Sequence, residues 1–195
     1  MTRLLLVRHG QSEWNALGKW QGQADSPLTD TGRQQARKAG SVVGKFDAIF
    51  SSDLQRASET AVIISEVLGI GPVLVEPDLQ ERCAGLWQGL TREEIEKGWP
   101  GALTSGERPE GYELDDQVLS RVQHALTKIV NTLESDGDVL VVTHGGVIYS
   151  VEGSCGIPMV RIPNLGGRWI YFDEGEVRLG DRVDLVGDGT TPDLL

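Results

Sequence analysis

The sequence predicts an α/β fold in which a mostly parallel central sheet carries helices on both faces. Three observations predict it. Two apolar runs, Arg3 to Val7 and "DVLVV" at Asp138 to Val142, lack the alternation of a half-wet strand and read as strands buried on both faces. Segments with apolar residues at spacings of three and four follow strand-like runs repeatedly along the chain. The 195 residues suit one domain, with 39% hydrophobic and 24% charged residues supporting a core and a wet surface.

The elements follow in order. Arg3 to Val7 is the first strand and ends in Arg8-His9-Gly10. Asp30 is expected to cap a helix running to about Gly44, with Arg33, Gln34 and Arg37 on its wet side. Asp47 to Phe50 is a second strand ending in Ser51-Ser52. The next helix carries Leu54, Ala57, Ala61, Ile64 and Leu68 on one face. Val73 to Val75 is a third, short strand. Thr91 to Lys97 reads as a short helix, and the Gly- and Pro-rich stretch from Pro100 to Gly111 reads as a loop, making 98–113 a flap. Leu114 to Leu133 is an amphipathic helix. Asp138 to Val142 is the clearest buried strand, and Gly145 to about Glu152 is its following helix. Trp169 to Asp173 and Glu176 to Leu179 flank Glu174-Gly175 as an expected hairpin at a sheet edge. A loose tail is expected from about Gly187.

The totals exclude some functions. A formal net charge of -11 opposes binding to nucleic acid or to anionic membrane, where a basic surface supplies most of the affinity. It leaves a small anionic ligand open, since a local cluster of cations suffices. No apolar run approaches the roughly 18 to 20 residues of a membrane span. No signal-peptide pattern opens the chain, so a cytoplasmic protein is expected. Cys83 and Cys155 match no metal or redox spacing and are expected to be reduced packing residues.

One pattern repeats at the strand ends. The first strand delivers Arg8 and His9, the second leads to Gln55-Arg56, the third to Glu81-Arg82, and the fourth ends in Thr143-His144-Gly145-Gly146. Ligands collect at the carboxyl ends of strands in open α/β sheets. Only three histidines exist in the chain, and two of them, His9 and His144, hold equivalent strand-end positions.

Five motifs, "RHGQSEWN", "GQADSPLTDTGRQQA", "SSDLQRASETA", "LQERCAGLWQGLT" and "VVTHGG", together resemble the histidine phosphatase superfamily, the phosphoglycerate-mutase-like proteins. They span roughly Leu4 to Gly146 in family order. The resemblance implies the phosphoglycerate-mutase-like fold, no metal and no organic cofactor. It implies that His9 is the nucleophile that becomes phosphorylated, that Arg8 and Arg56 hold the transferred phosphate, and that His144 is the second pocket histidine. Glu81 matches the proton donor and Asn15 a polar residue beside the phosphate. Ser12, Gln21, Gly22 and Gly145 fall where the family lines its pocket. Arg82 and Arg161 are candidates for a second anion on the substrate, with a solvated role equally open. The implied partners are a small phosphorylated substrate and inorganic phosphate.

The chemistry supports those residue types independently. Phosphoryl transfer is mostly positioning and charge stabilisation, which the planar, permanently charged fork of Arg suits. A neutral imidazole attacks through one nitrogen when the other donates to a fixed acceptor, such as the carbonyl of Gly10 or a neighbour. Glu81 would protonate the leaving alkoxide and then deprotonate water; Glu107 and Glu113 are alternative acids. Trp87 is expected in the core, Trp99 in the core or against ligand, and His124 on the surface or in packing. Arg168 and Trp169 fit a homodimer edge and internal packing equally well.

Competing chemistries lack their signatures. Glu152-Gly153-Ser154-Cys155-Gly156 misses the first glycine of a nucleophile elbow. No His-Glu-x-x-His and no P-loop occurs. Within the family, a mutase must hold a second anionic group and exclude water. The glycolytic mutases do so with a longer basic insertion after the position of Glu81. Here Glu81 to Gly111 is short, and Glu93, Glu94, Glu96, Glu107 and Glu110 outnumber its cations. A phosphomonoesterase is therefore expected, with a phosphoglycerate mutase and a non-catalytic phospho-ligand sensor as alternatives. The stretch "GLWQGLTREEIEKGWPG" resembles family phosphatases that act on sugar phosphates, including glucosyl-3-phosphoglycerate.

Overall fold

The computed structural model describes residues 1–173 and 176–187. Six strands, β1 (Thr2–Arg8), β2 (Ala48–Ser51), β3 (Val73–Val75), β4 (Asp138–Thr143), β5 (Gly166–Asp173) and β6 (Glu176–Asp184), form one sheet in the order β3-β2-β4-β1-β5-β6. The first four in that order are mutually parallel, while β5 runs antiparallel to β1 and β6 antiparallel to β5. The α/β fold with a mostly parallel sheet is thus observed.

Both faces of the sheet are covered, which explains the continuous apolar runs. Successive side chains alternate between faces. Leu4, Leu6, Val139 and Val141 meet Val118, Val122 and Ile129 of α6 (Asp115–Thr132) and Val147 and Val151 of α7 (Gly145–Ser154). Leu5, Val7, Leu140 and Val142 meet Ala36 and Ala39 of α2 (Asp30–Val42) and Ala57, Ala61 and Ile64 of α3 (Gln55–Leu68). Each buried aliphatic side chain contributes about 1.5–3 kcal/mol, so the sheet's two faces hold its strand ends rigidly.

Several elements differ from the sequence reading. Thr29, not Asp30, caps α2: its hydroxyl accepts from the Gly32 N–H at 3.0 Å. A one-turn helix, α1 (Glu13–Ala16), follows β1, closed by a reciprocal Ser12–Asn15 capping box. The flap region is more ordered than a loop. After α4 (Arg92–Gly98), α5 (Ala102–Ser105) lies over a small separate core in which Trp87 is fully buried with Ala84, Ile95 and Ala102. Trp99 packs there at 6.4 Å from the Trp87 ring, the packing reading of that residue.

The strands β5 and β6 pair antiparallel at the sheet edge, as expected, with β6 outermost. Trp169 stacks on Phe46 at 6.0 Å, and Arg168 and Arg182 both donate to the buried carboxylate of Glu152 on α7. These are packing roles inside the sheet. The expected turn at Glu174-Gly175 and the expected tail beyond Gly187 lie outside the described residues. Cys83 is half-buried and Cys155 exposed, both as free thiols, so Cys155 is not a packing residue. His124 is a surface residue paired with Asp78 at 2.8 Å. Among the described residues, no helix is long and apolar enough to cross a membrane.

Candidate active site

Strand register builds the centre of the site. In the parallel pair β1–β4, Arg8 lies opposite Thr143. The next residues, His9 and His144, therefore leave the sheet side by side. The His9 N–H donates to the Thr143 carbonyl at 3.0 Å, and the two imidazoles meet edge to face with centroids 5.2 Å apart. His9 Nδ1 lies 2.7 Å from the Gly10 carbonyl. A carbonyl only accepts, so Nδ1 carries the proton and Nε2 carries the lone pair. Gly10 is required by close approach: a Cβ there would stand 2.6 Å from the Gly32 carbonyl oxygen.

Arg56 faces that lone pair, with Nε 3.3 Å from His9 Nε2. It sits in the first turn of α3, whose Gln55 N–H is capped by Asp25 at 2.9 Å. Its side chain is fully buried, and its terminal nitrogens donate to the carbonyls of Ala24 at 2.8 Å and Gly22 at 2.7 Å. Burial lowers its pKa to about 10, with Glu81 and Asp25 opposing the shift, and the guanidinium stays charged at neutral pH. Arg8 donates through Nη1 to the Ile162 carbonyl at 2.8 Å, and burial lowers its pKa too.

Glu81 arrives from the far side. After β3, a single 3₁₀ turn (Pro77–Leu79) is tied to the end of β4 by the Thr143 hydroxyl, which donates to the Leu79 carbonyl at 2.8 Å. The Glu81 carboxylate accepts from the N–H groups of Arg82 at 2.7 Å and Gly146 at 3.1 Å. Gly146 leaves room for it, since a Cβ there would fall 2.1 Å from Glu81 Oε1. Arg121 of α6 clamps the segment from outside, donating to the carbonyls of Asp78, Gln80 and Glu81. It also pairs with Glu113 at 2.7 Å. Burial pushes the Glu113 pKa up, but Arg121 and the Cys83 N–H outweigh it and hold it below the ordinary range. Neither Glu113 nor the exposed Glu107 lines the cavity, so of the three candidate glutamates Glu81 is the one on its wall.

Burial, reinforced by Arg56 and other nearby charges, pushes both His9 and His144 well below the usual histidine pKa. Among the described residues, neither ring nitrogen of His144 has a hydrogen-bond partner. A stability prediction follows from the sign of these shifts. Above about pH 6.5 both rings are neutral in the native and unfolded chains. As pH falls below that, the unfolded chain takes up protons that the native state refuses. Stability should then fall by up to about 1.4 kcal/mol per pH unit for each ring. Urea titrations between pH 7.5 and 5.5, above the range where carboxylates protonate, should show this slope; a flat profile would contradict it.

Beside His9, Arg8, Arg56 and Glu81 opens a cavity of about 620 Å³. Of the residues singled out in the sequence, Arg8, His9, Asn15, Gln21, Gly22, Arg56, Glu81, Arg82, Gly145 and Arg161 lie on its wall. His144 lies behind the wall against His9, and Ser12 is likewise not on it. The Ser12 hydroxyl donates to Gln21 Oε1 at 2.7 Å, so it shapes the wall through Gln21 and through the α1 cap. Arg82 is committed to Asp115 at 2.6 Å and to the Glu113 carbonyl. Among the described residues, no group of three or more His, Cys, Asp or Glu is placed to hold a metal ion.

Sequence reasoning missed several contributors. Lys19, Trp20, Arg108, Tyr112 and Tyr149 also line the cavity. Arg108 stands over the rings of Trp87 at 5.6 Å and Tyr112 at 5.3 Å. Asn164, buried in a loop before β5, donates to the His9 carbonyl at 2.8 Å. The Trp and Tyr content of 84–112 was a signal for a second small core. Nothing local marked Asn164.

The chain is also similar to known proteins. The model of the histidine phosphatase superfamily (branch 1) matches residues 4–166. A glucosyl-3-phosphoglycerate phosphatase of Mycolicibacterium vanbaalenii is 37% identical over 85% of this chain and 79% of its own. A metal-independent phosphoserine phosphatase of Arabidopsis thaliana is 38% identical over 77% of this chain and 67% of its own. A 2,3-bisphosphoglycerate-dependent phosphoglycerate mutase of Gloeobacter violaceus is also among the relatives. The structure of a mycobacterial glucosyl-3-phosphoglycerate phosphatase complexed with VO3 superposes with a TM-score of 0.84 at 31% identity, covering 92% of this chain and 98% of that one.

Proposed function

The chain belongs to the histidine phosphatase superfamily, branch 1, and on that premise we infer that it is a phosphoric monoester hydrolase acting on a small phosphorylated metabolite through a phosphohistidine on His9. The observation that carries this reading is the state of that ring. Its Nδ1 proton is fixed on the Gly10 carbonyl, its Nε2 lone pair accepts from Arg56 Nε at 3.3 Å, and its pKa is depressed by burial and two cations. That is an imidazole kept neutral and aimed.

In the first half-reaction His9 Nε2 forms a bond to phosphorus while the ester P–O bond breaks. The departing oxygen takes a proton from the Glu81 carboxyl. Arg8 and Arg56 hold the non-bridging oxygens, Asn15 donates beside them, and His144 backs the His9 ring from behind. In the second half-reaction water oxygen bonds to phosphorus as the P–Nε2 bond breaks, and Glu81 takes the water's proton, restoring the enzyme. No step asks for a metal, and one relative is named metal-independent.

Hydrolysis rather than mutase action is favoured by the short, acidic segment between Glu81 and Gly111. Purified protein should release phosphate from an aryl phosphate faster than it converts 3-phosphoglycerate to 2-phosphoglycerate. Robust mutase flux with slow phosphate release would reverse the assignment, and phosphate binding without either activity would indicate a sensor.

The substrate class follows from the outer cavity. Arg108 lines it, has no carboxylate partner among the described residues, and is held over two aromatic faces. It suits an acidic group on the leaving side of the ester, as in the phosphorylated hydroxy acids named for the relatives. Arg108→Ala should lower kcat/KM for 3-phosphoglycerate or phosphoserine about tenfold or more, the effect of one charge-assisted hydrogen bond. An aryl phosphate, whose leaving group carries no acidic substituent, should change less than about twofold. Equal losses on both would assign Arg108 to the small core instead. A cytoplasmic location, with the substrate and phosphate as partners, accords with this reading.

A further inference from the structure

We propose that Asn164 is a positioning residue for phosphoryl transfer, setting both the His9 backbone and the direction in which Asn15 presents its amide. The inference rests on the reading of His9 as the phosphorylated nucleophile.

The loop before β5 grips the end of β1 at three points and α1 at a fourth. The Ile162 carbonyl accepts from Arg8 Nη1 at 2.8 Å, and the Leu165 N–H donates to the Arg8 carbonyl at 3.0 Å. Between them, Asn164 Nδ2 donates to the His9 carbonyl at 2.8 Å and to Asn15 Oδ1 at 3.3 Å. The orientation of this amide is settled chemically. The His9 carbonyl can only accept, so the NH2 of Asn164 must face it, and its two hydrogens match the two acceptors. Asn164 is 1% exposed, so no water competes for these bonds.

The consequence falls on Asn15. Its Oδ1 accepts from Asn164 on one side and from the Ser12 N–H at 3.2 Å on the other. With the oxygen held twice, the amide cannot flip, and its NH2 is the end left for the cavity it lines. A donor, not an acceptor, is thereby offered to a phosphate oxygen. Without Asn164 a flip would cost one hydrogen bond fewer, and the site would sample a form that repels the phosphate.

The backbone points the same way. Leu165 is fully buried with φ at 56°, the only described non-glycine residue with positive φ. A leucine in this region costs about 1–2 kcal/mol. Such strain persists where surroundings over-determine a conformation. Here the surroundings are the Arg8 carbonyl, which takes the Leu165 N–H, and the Leu185 N–H, which donates to the Leu165 carbonyl at 3.2 Å. The loop is moulded to β1, and the side chain so placed is Asn164.

The test is single-turnover phosphorylation from an aryl phosphate, counted per active site by burst amplitude, in Asn164→Ala and the isosteric Asn164→Asp. Phosphorylation in Asn164→Ala should slow about 10- to 100-fold. Inhibition by inorganic phosphate should weaken too, through Asn15, but by a smaller factor than the phosphorylation rate, because Arg8 and Arg56 still hold the anion. Combined with Asn15→Ala, the loss should be far less than multiplicative, because part of it acts through Asn15. In Asn164→Asp the added negative charge should raise the His9 pKa and move the acid limb of the phosphorylation rate to higher pH. A merely structural residue would lower the melting temperature and leave rate per site and acid limb unmoved; either unmoved result overturns the proposal. If the parent protein forms no phosphohistidine, the functional reading itself fails. If it does and the Asn164 variants label at the parent rate, only this inference fails.

Discussion

His9→Ala is expected to abolish phosphate release, by at least about 10⁴-fold, and to remove the acid-labile phosphoenzyme entirely. The size follows from what is lost. The variant keeps the charge clamp of Arg8 and Arg56 but has no atom to form the bond to phosphorus, so substrate is held and not cleaved. Water in the same place would need a base, and its attack would meet the burial that keeps His9 neutral. The β1 run is buried on both faces by other residues, so the chain should stay folded. Labelling with radioactive aryl phosphate, quenched in base, separates the outcomes: persistent label would move the nucleophile elsewhere. His124→Ala is the matched control, since that ring is exposed and remote on α6, and it should change turnover less than about twofold.

Arg56→Met should be nearly as severe and should carry a second signature. Loss of a buried charged donor at a site of developing negative charge costs about 10²–10³ in rate. Its partner Arg8 cannot compensate, being tied to the Ile162 carbonyl. Removing the guanidinium also strips the Gly22 and Ala24 carbonyls of their donors in a buried place. That loss is offset in part because Met is far less costly to bury than a cation, leaving a net destabilisation of about 1–3 kcal/mol. The second signature concerns His9. Arg56 is, after burial, the largest influence lowering its pKa. Without that cation the imidazole protonates more easily, so the acid limb of kcat/KM should move to higher pH. Arg56→Lys keeps the charge, loses the fork, and should retain the parent limb while losing rate. A pH profile identical in all three proteins would disconnect Arg56 from His9.

The site was legible in the sequence to the extent that its residues sit at strand ends. Arg8, His9 and His144 follow buried runs, and the run itself states where the sheet's edge lies. Arg56 and Glu81 were legible only through their motifs, because a helix-face arginine and a loop glutamate look like ordinary surface charges. The capping of α2 was misplaced by one residue because Thr29 and Asp30 are both good caps, and only backbone conformation chooses between them. The stretch from Pro100 to Gly111, which adds Ala102 to the small core around Trp87, reads as loop because its apolar residues are scattered among glycines and charges with no period. Arg121 and Asn164 were invisible, since each acts on backbone atoms of segments far away in sequence.

What the sequence determined by itself is the set of chemical groups and the strands that carry them, because burial patterns and residue types are local properties of the chain. What only the tertiary structure decided is which groups meet and in what state. The register that sets Arg8 against Thr143 places the two imidazoles together. The closeness of Gly10 to its own histidine fixes the tautomer. Arg121 and the loop carrying Asn164 hold Glu81, His9 and Asn15 from behind. Those facts depend on distances between segments up to 155 residues apart, and hydrogen bonds and charges act through space, without regard to order along the chain.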